Sequence, residues 1–255
     1  MADKLKLYGF NNLTKALSFN IYDVCYARTA QEQTEYIDYI DEQYNSERLV
    51  KILFHLTEII GAQVLHVSKQ DYDPQGASVV FLLAEEKLSY SMNLDTVIAH
   101  LDKSHVTVHT YPEYHPGSSI ATFRVDIDVE TCGEITPLRT LDYLIGSFDS
   151  DIITMDYRVR GFTRDMEGKK LYMDHDIHSI RDFIAPETLA KYESIDKNMP
   201  DINLFHTKMM LQQMDLQNYV FKSNIHALPL TKQNEIEQSL QKEMREIFIG
   251  KRMDL

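Results

Sequence analysis

Residues 122–130 alternate apolar and polar side chains without a break. Phe123, Val125, Ile127 and Val129 share one face; Arg124, Asp126, Asp128 and Glu130 share the other. A period of two fits a strand and excludes a helix. Residues 17–26, 62–68, 78–84, 104–111 and 151–160 also read as strands. Thr29, with Glu32 three residues on, forms a capping box and opens a helix. That helix breaks and restarts at Asn45-Ser46, and its second half stops before Gly61. Asp71 to Gly76 is a turn by its Pro and Gly. Residues 93–102 read as a short helix, and Pro112 to Ser119 as a loop. Thr136-Pro137 starts a helix that runs to about Phe148, with Pro in its first turn. Several strands are thus joined by turns alone. That favours an α+β sandwich of mostly antiparallel sheet with helices on one face over a doubly wound fold. Past residue 165 the pattern changes, and 186–195, 203–220 and 231–249 look helical. The predicted organisation is a core over residues 1–165 and a more helical C-terminal extension over 166–255.

Composition removes several function classes. The formal charge is −13, whereas a phosphate-binding surface needs a basic excess, so nucleic acid is not an expected partner. No apolar run approaches the roughly 18 residues of a membrane span, and the first residues lack the apolar core of a signal peptide. A cytoplasmic location is the expectation. The glycines never form GxGxxG or GxxxxGK[ST], which leaves nucleotide binding of those kinds unsupported. Two widely spaced cysteines, Cys25 and Cys132, allow one disulfide but do not make a secreted scaffold.

Reactive side chains are densest from Lys103 to Glu113. Ser104, Val106 and Val108 share one strand face; His105, Thr107 and His109 share the other. By itself this is better read as a polar strand beside a loop than as a hydrolase site, since the spacing is not that of a nucleophile elbow. Cys132 follows the alternating strand, as either a buried small hydrophobe or a proton donor or nucleophile at a strand end. His105, His109 and His115 do not suit one metal ion, because the first two sit about 13 Å apart on a strand. Asp174, His175, Asp176 and His178 read as surface loop or helix start. The basic run from Arg158 to Arg164 suits an internal acidic neighbour better than a substrate carboxylate.

Taken together, LDKSHVTVHTYPE (101–113) and TCG (131–133) strongly resemble bacterial S-adenosylmethionine decarboxylases. KLYGFNNLTKALSF (6–19), QDYDPQGAS (70–78) and DYRVRGFTRD (156–165) resemble the longer, enterobacterial-like branch of that family. FHTKMM (205–210) and KEMREIFIG (242–250) carry the likeness toward the C-terminus. The chain is shorter than the long-branch pattern between Glu86 and Asn93, a segment that precedes the cleavage motif.

The resemblance implies a self-processing proenzyme. The Ser104 hydroxyl attacks the Lys103–Ser104 bond, and the chain divides into a two-chain protomer whose second chain begins with a pyruvoyl group. His109 would assist that cleavage, with Ser78 hydrogen bonding in support. Cys132 would return a proton to the substrate carbon, Glu113 would bind the ribose hydroxyls, and Tyr72 would stack on the adenine. The chemistry is coherent: removing carbon dioxide leaves an electron pair on carbon, and a ketone joined to the substrate amine accepts it. Magnesium as activator, a homo-oligomer of cleaved protomers and a place in spermidine synthesis are implied likewise. The self-processing motif leaves two alternatives: the same chemistry on free ornithine or arginine, or an uncleaved partner that regulates an active paralogue.

Overall fold

The computed structural model describes residues 12–84, 104–132 and 136–253. The helix expected at 93–102, the shortened 86–93 segment and Lys103 lie outside the described residues. One eight-stranded antiparallel sheet organises the chain. Its strands are β1 (Thr14–Tyr26), β2 (Gln63–Asp71), β3 (Ala77–Ala84), β4 (His105–Tyr114), β5 (Ile120–Cys132), β6 (Ile152–Arg160), β9 (Tyr192–Asp196) and β10 (Leu204–Leu211). Their order across the sheet is β2-β3-β4-β5-β1-β6-β10-β9. The two-residue strands β7 (Thr163–Arg164) and β8 (Lys170–Leu171) form a separate small hairpin.

The alternation read at 122–130 sets which side is covered. Leu17, Phe19 and Ile21 of β1, Val106 and Val108 of β4 and Phe123 to Val129 of β5 are buried on one face. Helices α1 (Ala30–Gln43), α2 (Ser46–Ile60) and α3 (Leu141–Ser147) cover that face with the same core. The predicted signals hold at these helices. Thr29 and Glu32 form the capping box of α1; Asn45 caps α2, its side chain accepting from the Arg48 amide; Gly61 ends α2 at φ +73°. Helix α2 presents Leu49, Ile52, Leu53, Leu56 and Ile60 at helical spacing to the sheet.

The last helix, α4 (Leu230–Ile249), lies on the opposite face and covers only one end of it. Ile236, Leu240, Met244 and Phe248 recur every four residues and pack on Val24, Tyr26 and Ile152. Along β4 and β5 that face carries His105, Thr107 and His109 and Arg124, Asp126, Asp128 and Glu130.

Two expectations are corrected. Residues 203–220 are not a helix: β10 occupies 204–211, and only short turns follow. Residues 186–195 likewise reduce to one helical turn, Pro186–Leu189, and then β9. The run LFHTKMML suits either state, and the exposed flank of β6 decides it by offering unpaired amides and carbonyls. Pro112, expected in a loop, is buried inside β4. It is tolerated because β3 ends at Ala77, opposite Thr110, so the Pro112 nitrogen has no ladder partner to lose.

Gly76 sets the start of β3. At φ +91° a Cβ there would meet the Thr110 carbonyl oxygen at 2.6 Å, so only glycine lets the two strands close at this point.

At the α4 end of the sheet, buried Asp151 lies beside half-buried Asp23. Asp151 accepts from the Tyr219 hydroxyl at 2.5 Å and from the Val24 amide at 2.9 Å, and Asp23 accepts from Tyr36 at 3.2 Å. Burial, then the Asp151 and Asp149 charges, push the Asp23 carboxyl well above the usual range. A carboxyl raised in the folded state contributes stability that is complete below its unfolded pKa of about 3.9 and is lost as pH rises through the folded value. Asp23→Asn, which keeps an acceptor for Tyr36, should therefore flatten the fall in thermal stability as pH rises above about 4. Unfolding curves with the same pH slope in both proteins would refute this.

Candidate active site

The sheet register places the predicted residues in two groups. The first lies at the start of β4. His105 pairs with Glu130, so one step back Ser104 comes opposite Thr131, next to Cys132 at the end of β5. Ser104 is 5% exposed and Cys132 9%, and the Ser104 carbonyl accepts from the Leu83 amide at 3.1 Å. On the other side of β5, Thr14 pairs with Cys132 and Lys15 with Thr131.

The second group lies farther along β4 and β3, on the face opposite Ser104, which strand alternation also gives to Cys132. Ser78 is paired directly with His109. The Tyr72 hydroxyl lies 3.5 Å from His109 Nδ1, a long contact, and the Tyr111 ring stacks beside His109 with centroids 6.3 Å apart. Arg124 lies over Tyr111, 4.6 Å from the ring centroid, and pairs with Asp126, which also accepts from Asn20 at 2.7 Å. Glu113 is exposed and accepts from Thr122 at 2.7 Å. Between the groups the polar face holds a groove of about 430 Å³ lined in part by Ser18, His105, Thr107, Asp128, Glu130 and Arg158.

Ser104 and His109 are thus separated within one chain. Five strand residues at about 3.3 Å each put them about 16 Å apart, and the odd separation turns them to opposite faces. Tyr72, Ser78 and His109 do come together; Glu113 stands about 13 Å beyond His109 on the same face.

The remaining sequence candidates separate by environment. Cys25 and Cys132 sit at opposite ends of the β1–β5 ladder, opposite Ala121 and Thr14, so about 36 Å separates them and no disulfide links them. Burial and the Asp23 charge push the Cys25 thiol up, which makes it unreactive. Arg160 pairs with Glu130, an internal neighbour as expected, and Arg164 donates to the Gly168 carbonyl at 2.6 Å. Among the described residues no three His, Cys, Asp or Glu side chains converge to hold a metal ion. No described helix is long and apolar enough to cross a membrane.

One network was not legible in the sequence. Asp176 and His178 are exposed, but Asp174 and His175 turn inward, which corrects the surface reading of that run. Lys15, 1% exposed, donates to Asp174 Oδ2 at 2.7 Å. His175 Nδ1 meets Asp174 Oδ1 at 2.7 Å, and the Tyr157 hydroxyl lies 3.2 Å from His175 Nε2. The available signal was a lysine in the inward series Lys15, Leu17, Phe19, Ile21, which the strand read from residue 17 left out.

A family profile for S-adenosylmethionine decarboxylase matches residues 35–161. The S-adenosylmethionine decarboxylase proenzyme of Clostridium botulinum (strain Alaska E43 / Type E3) is 62% identical over 98% of this chain and 97% of its own. The chain belongs to the S-adenosylmethionine decarboxylase family. The proenzyme of Hahella chejuensis is 57% identical over 99% of both chains. Among solved structures, the adenosylmethionine decarboxylase of Aquifex aeolicus covers 66% of this chain with all of its own, at 17% identity and a TM-score of 0.32. Family membership makes this chain a decarboxylase of the pyruvoyl-dependent proenzyme type.

Proposed function

We propose that the chain cleaves itself between Lys103 and Ser104 and then decarboxylates S-adenosylmethionine, giving the aminopropyl donor of spermidine synthesis. The reading is carried by the likeness to proenzymes named for this substrate over nearly the whole chain, with the motif residues all present. The Ser104 position fits a pyruvoyl group: it is secluded from water, and its backbone carbonyl, which that group retains, is anchored by Leu83. When formed, the group supplies the electron sink for loss of carbon dioxide. Cys132, at the neighbouring strand end, holds the proton that the substrate carbon takes up. Seclusion at 9% exposure favours that delivery over protonation from bulk water.

His109 and Ser78 assist self-cleavage from a second copy of the chain. Their separation of about 16 Å from Ser104, on the opposite face, supports a homo-oligomer in which one copy's His109 group meets the other's Ser104 group. Tyr72 and Glu113, on the His109 face, then offer an aromatic ring to the adenine and sulfonium and a carboxylate to the ribose. The likeness to the longer branch of the family supports magnesium as the activator. The protein works in the cytoplasm, where Cys25 stays reduced.

Carbon dioxide release should be measured separately with S-adenosylmethionine, ornithine and arginine. Release from the first alone is expected. Release from ornithine or arginine and none from S-adenosylmethionine would assign the other substrate class. An uncleaved chain inert to all three would mark a regulatory partner.

A further inference from the structure

The reading above uses the Tyr72 ring and leaves its hydroxyl without a part. That hydroxyl lies 3.5 Å from His109 Nδ1, while Nε2 has no hydrogen-bond partner among the described residues. His175 differs: Asp174 meets its Nδ1 and Tyr157 its Nε2, so neither nitrogen is open. His109 is held at one nitrogen and open at the other.

The turn that carries Tyr72 is fastened to its surroundings on two sides. Asp71 accepts from the Ser46 amide at 2.7 Å and from the Ser46 hydroxyl at 2.8 Å, at the start of α2. The Tyr72 amide donates to the Gly76 carbonyl at 2.8 Å, and the Gly76 amide donates to Asp41 at 2.9 Å. On the β4 side, Gln75 donates to the Pro112 carbonyl and the Ala77 amide donates to the Thr110 hydroxyl at 2.7 Å. Thr110 and Pro112 follow His109 on the same strand, so these bonds bring Tyr72 to its ring. The Tyr111 ring lies beside the imidazole with the two planes 18° apart. Arg124 covers Tyr111, and Asp126, opposite His109 on β5, holds Arg124 at 2.9 Å. The imidazole is thus steadied by one ring and addressed at one nitrogen by one hydroxyl.

We propose that the Tyr72 hydroxyl oxygen accepts from Nδ1–H of His109 and so keeps Nε2 bare, as the nitrogen that takes the proton from Ser104 of the second copy. The inference rests on the self-cleavage reading above. Which imidazole nitrogen carries the hydrogen is set by the bond the other makes, and a hydroxyl sets it without adding a charge. In the step itself the Ser104 oxygen bonds to the carbonyl carbon before it, and its proton passes to Nε2. The carbonyl oxygen takes the negative charge. Collapse breaks the C–N bond, Nε2 returns the proton to the amine of residue 104, and an ester is left. A ring with its hydrogen on Nε2 has the same shape and no lone pair to offer there. Bonds of this kind are often long before the reacting groups assemble, and 3.5 Å fits that state. Tyr72 is a positioning residue in this scheme and acts through His109.

Two measurements test it. The first reads the tautomer directly, by nitrogen-15 NMR of histidine-labelled full chain carrying Ser104→Ala, at a pH where the imidazole is neutral; His109→Gln identifies the signal. His109 should show hydrogen on Nδ1, and adding Tyr72→Phe should remove that preference. Hydrogen on Nε2 with Tyr72 in place overturns the proposal, as does a tautomer that Tyr72→Phe leaves unchanged. The second follows cleavage of chains with Ser104 intact during cell-free translation, read as the 104–255 fragment by denaturing mass spectrometry. Tyr72→Phe keeps the ring and its volume. It should fold, by circular dichroism, and cleave at least about tenfold more slowly than wild type, since the orienting partner of a histidine is typically worth about 10- to 100-fold. A folded Tyr72→Phe that cleaves at the wild-type rate overturns the proposal. If Tyr72→Phe does not fold, the tautomer in the Tyr72 chain decides alone. Wild-type chain that never cleaves would remove the self-cleavage reading itself, and this shows in the wild-type sample, apart from the tautomer result.

Discussion

Ser104→Ala yields one intact chain with no decarboxylase activity. Its hydroxyl is the proposed nucleophile of self-cleavage and its backbone becomes the pyruvoyl group, so one substitution removes both the event and the group it creates. The loss should be total in practice, because no other described serine or threonine side chain lies at residue 104 to replace the attacking oxygen. Stability should change little. Removing one hydroxyl from a small buried side chain costs about 1 kcal/mol, and Ala keeps the extended backbone and the Leu83 hydrogen bond to the residue 104 carbonyl. Denaturing mass spectrometry checks the outcome: wild type gives the 1–103 and 104–255 chains, and the variant gives one full-length species. Turnover by the intact variant would end the pyruvoyl mechanism for this protein.

Cys132→Ala cleaves normally and turns over about a hundredfold more slowly or worse. The two steps need different groups. Cleavage requires an attacking hydroxyl and a base, whereas turnover requires a proton donor at the substrate carbon, and a positioned donor is worth about 10²–10⁴ in rate. Cys132 ends β5 beside the rung that Ser104 joins, and 9% exposure leaves little water to stand in for it. Two chains in the mass spectrum with single-turnover decarboxylation slowed at the protonation step would support the assignment. Wild-type turnover would take Cys132 out of the donor role, and failure to cleave would give it a part in processing.

The local elements were readable because their signals are local. The capping box at Thr29, the Asn45 restart, the Gly61 stop and the alternation from Phe123 to Val129 each depend on residues within a turn or on one strand. The errors fell where a neighbour decided the state. LFHTKMML became β10 because β6 offered it a ladder, and Pro112 entered β4 because β3 had already ended. The Asp174-His175 pair looked like solvated polar sequence because its partner, Lys15, is 159 positions away.

The motif from Lys103 to Glu113, with Cys132, carried the family and its chemistry without coordinates, since a reactive group announces itself by residue type and spacing. Strand alternation also determined that Ser104 and His109 face opposite ways, for an odd separation on a strand permits nothing else. What the tertiary structure decided was company. Register across β3, β4, β5 and β1 set Ser78 against His109, brought Ser104 beside Cys132, and put a buried lysine two strands from the proposed cleavage site. Those contacts arise from hydrogen-bond ladders between segments distant in the chain, and the free energy that selects one register over another lies in the packing of the whole covered face.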